Sequence, residues 1–251
     1  MIRICVSLAL VLLLAACSRN DGNQLQGWVE ADMIFVSPDE AGRVDMLNVR
    51  EGDTVNQGAA LFTVDPDIQQ ADVASAEAAL ANAQQAYDRA KQLLQSAAGT
   101  QRALDDADTA LRTAQARLNQ TRTRLNRRRM VSPVTGTVQQ IYYRPGETVP
   151  AGRPVLSILP PENLKIRFFA AQGKLQSIKI GDVVTVSCDG CEPNLTARVS
   201  FIAQSAEYTP PVIYTLEERA KLVFLIEARP GRPDKFRVGQ PVTVSLKGQD
   251  Q

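Results

Sequence analysis

SPDEAGRVDMLNVREGDTVNQGAAL, residues 37–61, decides the fold, because its pattern recurs as SPVTGTVQQIYYRPGETVPAGRPV at residues 132–155. In both copies, the second glycine lies ten positions after the first and the third lies six positions after the second. Short β-branched runs lie between the glycines, which is typical of short strands joined by tight turns. Neither half can close a core alone, so we expect the two to pack together as a small β-sandwich.

The segment between the two copies has the pattern of two long helices. Asp65-Pro66-Asp67 is typical of a helix start. Along both helices a larger apolar residue recurs every seven positions, which predicts a coiled-coil seam. The seam residues are Val73, Leu80, Tyr87 and Leu94 on the first helix and Leu104, Leu111, Leu118 and Leu125 on the second.

The two seams also match each other in register. When the chain folds back at Ala98-Gly99, Val73 faces Leu125 and Leu94 faces Leu104, with layers of alanine and threonine between the large layers. Each helix of about 30 residues would be roughly 45 Å long. A hairpin of that length buries little against its own domain, so the pattern predicts a segment that reaches a partner.

Composition excludes several classes of function. The chain has 28 Lys and Arg, 27 Asp and Glu, and no His, which removes histidine-based catalysis and metal binding. The balanced charge argues against nucleic acid as a partner. Arginines nevertheless cluster over residues 112–129 of the second helix. A lipid-headgroup or nucleic-acid patch is one interpretation, but we expect a solvated face paired with acidic residues of the first helix.

The N-terminus has the pattern of an export signal. Ile4 to Ala16 is an apolar run too short to span a bilayer. Leu14-Ala15-Ala16-Cys17 resembles a bacterial lipoprotein box, which implies cleavage before Cys17 and attachment of N-acyl and S-diacylglycerol lipid to it. An ordinary signal peptide with an incidental cysteine is the alternative. Ser18 leaves open which membrane holds the lipid, with the inner membrane favoured.

The glycine repeat resembles the biotinyl/lipoyl-type fold, whose carrier domains present a modifiable lysine where the two halves meet. Here the only lysine of the insert is Lys91, in the middle of a helix, so we expect no carrier enzyme. A lipoyl-like sandwich split by a helical hairpin, after a lipoprotein signal, resembles instead the HlyD-type periplasmic adaptors, or membrane fusion proteins.

The adaptor resemblance implies a protein that is not an enzyme and needs no cofactor or metal. It implies a subunit of a tripartite efflux or secretion system in the periplasm of a Gram-negative bacterium, expected to be a hexamer. Such a subunit links an inner-membrane transporter to an outer-membrane channel of the TolC type. The channel-docking residues of these adaptors match Arg89, Leu93 and Thr100 at the hairpin turn, with Thr in place of the usual Ser. The alternative for Thr100 is a helix N-cap.

The C-terminal part has further strand-like runs and resembles the adaptor β-barrel domain. The phrase at residues 207–211, with Arg219 and residues 222–224, resembles the subgroup that serves ABC-type exporters. Cys188-Asp189-Gly190-Cys191 predicts a tight hairpin turn closed by a structural disulfide. Free thiols and a redox or metal role are the alternatives.

The sequence therefore predicts a multidomain protein of mixed α and β class. Two other functions stay open, namely a structural coiled-coil envelope lipoprotein without a transport role and the adaptor of a proton-driven pump. The expected segments are a signal peptide at 1–16, a linker at 17–26, a lipoyl-like domain at 27–65 plus 130–160, an α-helical hairpin at 66–129, a β-barrel at 161–247 and a tail at 248–251.

Overall fold

The computed structural model describes residues 24–206 and 222–246 and divides into two units. Met33–Pro160 forms one unit, and the segments on either side of it form the other. The first strand, β1 (Gln24–Ala31), belongs to the second unit.

Two antiparallel sheets make up the β part of the first unit. The strands contributed by the first repeat are β2 (Ile34–Val36), β3 (Gly42–Leu47), β4 (Thr54–Val55) and β5 (Ala60–Val64). Those that follow the insert are β6 (Arg129–Val131), β7 (Gly136–Ile141), β8 (Thr148–Val149) and β9 (Leu156–Leu159). The strand orders are β2-β9-β7-β4 and β6-β5-β3-β8, so each sheet mixes strands from both sides of the insert. The predicted sandwich of two interdependent halves is confirmed.

The two repeats exchange backbone hydrogen bonds reciprocally. Gly52 N–H donates to the Val138 carbonyl, and Gly146 N–H donates to the Val44 carbonyl, both at 2.8 Å. Val44 and Val138 are completely buried in the sandwich core. The return bonds run from Val44 N–H to the Glu147 carbonyl and from Val138 N–H to the Asp53 carbonyl. Each half thus satisfies the backbone of the other.

The glycines of the repeat serve two different purposes. The second and third glycine of each copy have a positive φ, as expected for tight turns; they are Gly52, Gly58, Gly146 and Gly152. The first glycines, Gly42 and Gly136, lie in strands and have no positive φ. A Cβ at position 136 would lie only 2.5 Å from the Leu159 carbonyl oxygen, so this glycine is required by close packing and not by a turn.

The insert forms two helices, α1 (Asp67–Gln95) and α2 (Gln101–Asn126). At the start of α1, the Asp65 carboxylate accepts the Asp67 N–H at 3.2 Å. This backbone hydrogen bond, helped by Arg43 at 2.9 Å, lowers the pKa of Asp65. No helix in the described ranges is both long enough and apolar enough to cross a membrane.

The second unit is a closed six-stranded antiparallel barrel. Its further elements are β10 (Leu164–Ala171), a short helix α3 (Gln172–Leu175), β11 (Val183–Ser187), β12 (Leu195–Ile202), β13 (Val223–Pro230) and β14 (Pro241–Ser245). The strand order around the barrel is β1-β10-β13-β12-β11-β14. The predicted barrel is therefore confirmed. Of the phrase that resembles the ABC-exporter subgroup, residues 207–211 and Arg219 lie outside the described residues, as do residues 1–23 and 247–251, whereas residues 222–224 lie at the start of β13.

The predicted N-terminal boundary of the sandwich is wrong. Residues 27–31, assigned to the sandwich, and residues 24–26, assigned to the linker, form β1 of the barrel. This strand closes the barrel by pairing with both β10 and β14, and its Leu25 and Val29 are buried. The chain leaves the barrel after β1 and returns to it at β10, after the whole sandwich unit.

The Cys-x-x-Cys segment lies in the connection between β11 and β12. The structure contains the Cys188–Cys191 disulfide, and Cys191 N–H donates to the Cys188 carbonyl at 3.1 Å. The predicted tight hairpin is wrong, because the connection runs from residue 188 to 194 and contains a second turn with Asn194 at φ 62°. The disulfide therefore closes only the first of two consecutive turns.

We expect Gly136→Ala to lower the free energy of unfolding of the sandwich by about 2 kcal/mol or more, because the new methyl group would overlap the Leu159 carbonyl. Urea denaturation measures this change. Gln139→Ala, at an exposed position of the same strand, serves as the control and should change the stability by less than about 0.5 kcal/mol. Equal effects of the two substitutions would contradict the close-packing explanation.

Candidate functional site: the helical hairpin

The eight predicted seam residues all face inward in the hairpin. Leu118 is buried, and the other seven are half-buried, whereas most residues between them are exposed. Two residues of the small layers, Ala76 and Thr121, are also buried. The helices therefore share one narrow apolar strip and present polar surfaces on their other sides.

Backbone hydrogen bonds fix the tip of the hairpin. Ala98 N–H donates to the Leu93 carbonyl at 2.8 Å, and Ala97 N–H donates to the Leu94 carbonyl at 3.1 Å. With Ala97 at φ 56°, this is a Schellman motif that has alanine at the left-handed position. Gly99 has no positive φ; its Cα lies so close to α1 that a Cβ would be 3.0 Å from Leu94 N. The left-handed residue of the turn is thus Ala97, two residues before the glycine.

The three predicted docking residues are all exposed around this tip. The Leu93 side chain is 49% exposed, although the neighbouring seam residue Leu94 is half-buried. Arg89 has no hydrogen-bond or ion-pair partner among the residues that the structure describes. Thr100 caps α2, since its hydroxyl oxygen accepts the Ala103 N–H at 3.2 Å. The N-cap alternative for Thr100 is therefore correct, yet the hydroxyl proton still remains available as a donor.

The base of the hairpin is held by a residue that sequence reasoning did not single out. The Arg128 side chain is only 10% exposed; it pairs with Glu40 at 3.0 Å and donates to the Ala41 carbonyl at 3.1 Å. Both partners precede β3 of the sandwich. Gln69, in the first turn of α1, is also buried, and neither its Oε1 nor the Arg128 Nε has a hydrogen-bond partner within the described part of the chain.

The heptad pattern could have identified these two residues. Gln69 lies seven residues before Ala76, and Arg128 lies seven residues after Thr121, so both continue the small layers toward the base. The layer pairing that joins Ala76 with Thr121 joins Gln69 with Arg128. Because both residues are polar, a heptad pattern defined by apolar residues does not include them.

The arginine cluster of α2 pairs with acids in three different places. Arg122 contacts Glu77 of α1 at 2.7 Å, as the paired-face interpretation predicts. Arg112 pairs instead with Asp108 of its own helix at 2.6 Å. The arginines after the helix pair with acids that precede β3, with Arg127 lying 3.7 Å from Asp39. The Arg122–Glu77 and Arg127–Asp39 pairs lie in the base half of the hairpin, whereas the Arg112–Asp108 pair lies in the half nearer the tip.

The hairpin offers no evident catalytic arrangement. Lys91 is exposed on α1, close to the tip. Within residues 24–206 and 222–246, no group of three or more Cys, Asp or Glu side chains is arranged to hold a metal ion. The exposed tip of the hairpin is accessible for contact with a partner protein.

Comparison with protein families and curated relatives places these features in context. A family model described as "RND MFP, barrel-sandwich hybrid domain" matches residues 33–159. The "UPF0194 membrane protein in asrC 5'region" of Acidithiobacillus ferridurans is 29% identical over 120 residues, covering 47% of this chain and 36% of the relative. "UPF0194 membrane protein YbhG" of Salmonella newport is 25% identical over 122 residues, covering 48% and 37%. The matches thus span little more than a third of these relatives.

Solved structures share the fold over most of the chain. The membrane fusion protein Spr0693 from Streptococcus pneumoniae R6 has a TM-score of 0.70 at 22% identity, covering 90% of this chain and 100% of that one. A MacA-MexA chimeric protein containing the Pseudomonas aeruginosa MexA α-hairpin domain also has a TM-score of 0.70, at 23% identity, covering 89% and 80%. The fold is shared with both.

We expect Glu40→Ala to destabilise the protein by about 1–2 kcal/mol, because it leaves the buried Arg128 guanidinium without its carboxylate. Asp39→Ala is the matched control; it removes an exposed pair at 3.7 Å and should cost less than about 0.5 kcal/mol. Urea denaturation of both variants measures the difference. A larger loss for Asp39→Ala would contradict the role assigned to Arg128.

Ala97→Gly should stabilise the hairpin by about 0.5–1 kcal/mol, because glycine removes the cost of a left-handed alanine. Ala98→Gly, one residue further along, relieves no strain and should destabilise by a similar amount. Thermal unfolding followed by helical circular dichroism compares the two. Effects of the same sign would show that the turn does not have the backbone geometry described above.

Proposed function

The chain belongs to the RND/HlyD-type membrane fusion protein family, and on this premise we propose that it is the periplasmic adaptor subunit of an efflux or secretion system. The adaptor links an inner-membrane transporter to an outer-membrane channel of the TolC type and performs no chemistry itself. It works as a homo-oligomer, expected to be a hexamer, since a single copy cannot enclose a conduit.

One observation carries this proposal most directly, namely an exposed leucine at the tip of a long polar hairpin. Leu93 is 49% exposed beside a turn that backbone hydrogen bonds from Ala97 and Ala98 hold in place, so an ordered support presents an apolar side chain to solvent. Arg89 and Thr100 add hydrogen-bond donors around it. An apolar knob flanked by donors suits a groove between helix ends, where carbonyl and carboxylate oxygens accept hydrogen bonds.

We favour an ABC-type exporter as the transporter, with a proton-driven pump as the alternative. Support for the ABC type comes from the phrase at residues 207–211 and from a hairpin of only 29 and 26 helical residues. The description of the matching family refers to RND systems. No side chain of the described barrel favours one transporter chemistry over the other.

We also propose that the mature protein is anchored by lipid on Cys17 and faces the periplasm. The apolar run before Cys17 and the small residues next to it support this proposal. The curated relatives carry the description "membrane protein". An acyl anchor would hold the barrel unit near a bilayer without a transmembrane helix.

The second candidate function is a structural coiled-coil lipoprotein of the envelope. The narrow apolar strip of the hairpin is compatible with it, but such a protein has no need for an exposed leucine at the tip. The two functions therefore differ in what happens when Leu93 alone is changed.

We expect Leu93→Ser to abolish export and recovery of the channel, while recovery of the transporter is retained. The measurement is an affinity pull-down from mildly crosslinked, detergent-solubilised envelopes, read by mass spectrometry. Ile68→Ser is the matched control, because Ile68 is 74% exposed at the opposite end of the same helix. It should leave both partners in place.

Each outcome of the pull-down has a distinct meaning. An ABC permease and ATPase recovered with every variant, together with a channel lost only in Leu93→Ser, would support the full proposal. A proton-driven pump in place of the ABC proteins would change the transporter class alone. Recovery of neither transporter nor channel with the unaltered protein would favour the structural lipoprotein.

A further inference from the structure

Several β-turns in the described residues have a glycine at the third position, and four of them share a further side-chain hydrogen bond, two in the sandwich and two in the barrel. The four turns are Arg50–Asp53, Arg144–Glu147, Lys179–Asp182 and Arg237–Gln240. In each, the first residue is basic and the third is a glycine with φ between 83° and 96°. The side chain of the fourth residue accepts the N–H of the first, and the glycine N–H donates to a valine carbonyl at 2.8 Å.

The residue at the second position of these turns differs in chemical type between the sandwich and the barrel. In the sandwich this position is occupied by Glu51 and Pro145, which are exposed and suit a turn. In the barrel it is occupied by Ile180, which is 69% exposed, and Val238, which is 43% exposed. The backbone geometry is the same in all four, so the turn itself does not require an apolar side chain at this position. The hydrogen bonds of its turn keep the Ile180 side chain exposed to water. We interpret this exposure as an indication of a partner outside the unit.

Strand pairing places the two apolar turns at opposite ends of the barrel. The Ile180 turn leads into β11 and the Val238 turn into β14, and these strands are antiparallel neighbours. The end that carries Ile180 is also where β1 begins, because Gln24 pairs with Ser245 and Ser245 pairs with Thr185. The chain between Cys17 and the barrel therefore arrives at the Ile180 end.

The surroundings of Ile180 are basic. Lys179 precedes it directly, and Lys174 lies in the short helix before it; neither has an ion-pair partner among the described residues. The one acid of the turn, Asp182, accepts the Lys179 N–H at 2.7 Å, and Arg198 donates to the Gly181 carbonyl at 3.0 Å. At the Val238 end, by contrast, Glu192 pairs with both Arg232 and Lys235.

We propose that the Ile180 turn inserts into the headgroup region of the membrane that holds the lipid on Cys17, with Lys174 and Lys179 contacting anionic phospholipid headgroups. This proposal rests on the lipid anchor of the preceding section. Seven residue steps separate Cys17 from Gln24, which limits the barrel end to roughly 25 Å from the anchored cysteine. Because the lipid on Cys17 already holds the barrel end this close to the bilayer, contact between the turn and the membrane is effectively intramolecular. One apolar side chain and two lysines are then sufficient to maintain that contact.

A lipid surface fits this feature better than a protein does. A protein interface of standard size involves about 20–30 residues on each side with a clustered apolar core. Among the described residues at this end of the barrel, Ile180 instead is a single protruding aliphatic side chain, and lysines flank it. An isolated aliphatic side chain among cations is the pattern by which surface segments reach the boundary between headgroups and acyl chains.

The test uses the full-length lipidated protein in liposomes of phosphatidylethanolamine and phosphatidylglycerol. Cysteine is introduced as Ile180→Cys or, for the control, as Val238→Cys, and is labelled with an environment-sensitive fluorophore. Cys5 is removed with the signal peptide, Cys17 carries lipid, and Cys188 and Cys191 are joined in the disulfide, so the introduced thiol is the reactive one. We expect a blue-shifted emission at position 180 and several-fold stronger quenching by spin-labelled lipids than at position 238.

Two results would overturn the proposal. One is equal, water-like emission at both positions in protein whose acylation at Cys17 is verified by mass spectrometry. The other is an emission change at position 180 that occurs only when a transporter is reconstituted with the protein, which would assign the turn to a protein contact. Absence of acylation would instead contradict the lipid anchor itself, and it is scored separately by the mass measurement.

Matched variants test the chemistry of the contact. Lys174→Gln combined with Lys179→Gln should weaken the quenching at position 180, as should replacement of phosphatidylglycerol by phosphatidylcholine. Neither change should alter the quenching of a fluorophore at position 238. Quenching that is insensitive to both changes would contradict the assigned role of the two lysines.

Discussion

The reciprocal hydrogen bonds between the two glycine repeats are the constraint on which the rest of the sandwich unit depends. The second glycine of each repeat donates to a buried valine of the other repeat, so neither half has a complete sheet without its partner. This exchange brings β5 and β6 together as antiparallel neighbours, with Thr63 opposite Arg129. The chain leaves the sandwich and re-enters it at adjacent points, so the insert between these strands has to double back on itself. An antiparallel helical pair meets that requirement.

Different interactions stabilise the length, the base and the tip of the hairpin. Along its length, the helices share one strip of large and small layers, and few side chains are fully buried. The base is fixed to the sandwich by the buried Arg128, whose guanidinium is bonded to Glu40 and to a backbone carbonyl. At the tip, backbone hydrogen bonds make the turn rigid without covering Leu93. The result is a long hairpin that a buried guanidinium fixes at its base and that exposes Leu93 at its tip.

Local periodicity is the reason that much of this architecture could be predicted from the sequence. The glycine spacing and the heptads lie within contiguous segments. Once the position of the turn is known, the heptads also determine which layers of the two helices face each other. The assignment of β1 failed because its partners are distant, with Gly27 paired to Phe168, and nothing within residues 24–31 indicates which sheet they join. Likewise, the close packing of Gly136 against the Leu159 carbonyl depends on a neighbouring strand that no local pattern specifies. The predicted docking residues are exposed, as a docking site requires, and docking itself stays a prediction because it depends on contacts outside this chain.

The most direct test of the adaptor role is site-specific photo-crosslinking in intact cells. A photo-reactive amino acid replaces Leu93 in one strain and Ile68 in another, since both positions are exposed on α1 but lie at opposite ends of it. Illumination followed by mass spectrometry identifies what each position contacts. The account predicts an outer-membrane channel crosslinked at position 93 and none at position 68. Crosslinks from position 93 only to inner-membrane proteins, or to no channel at all, would contradict it.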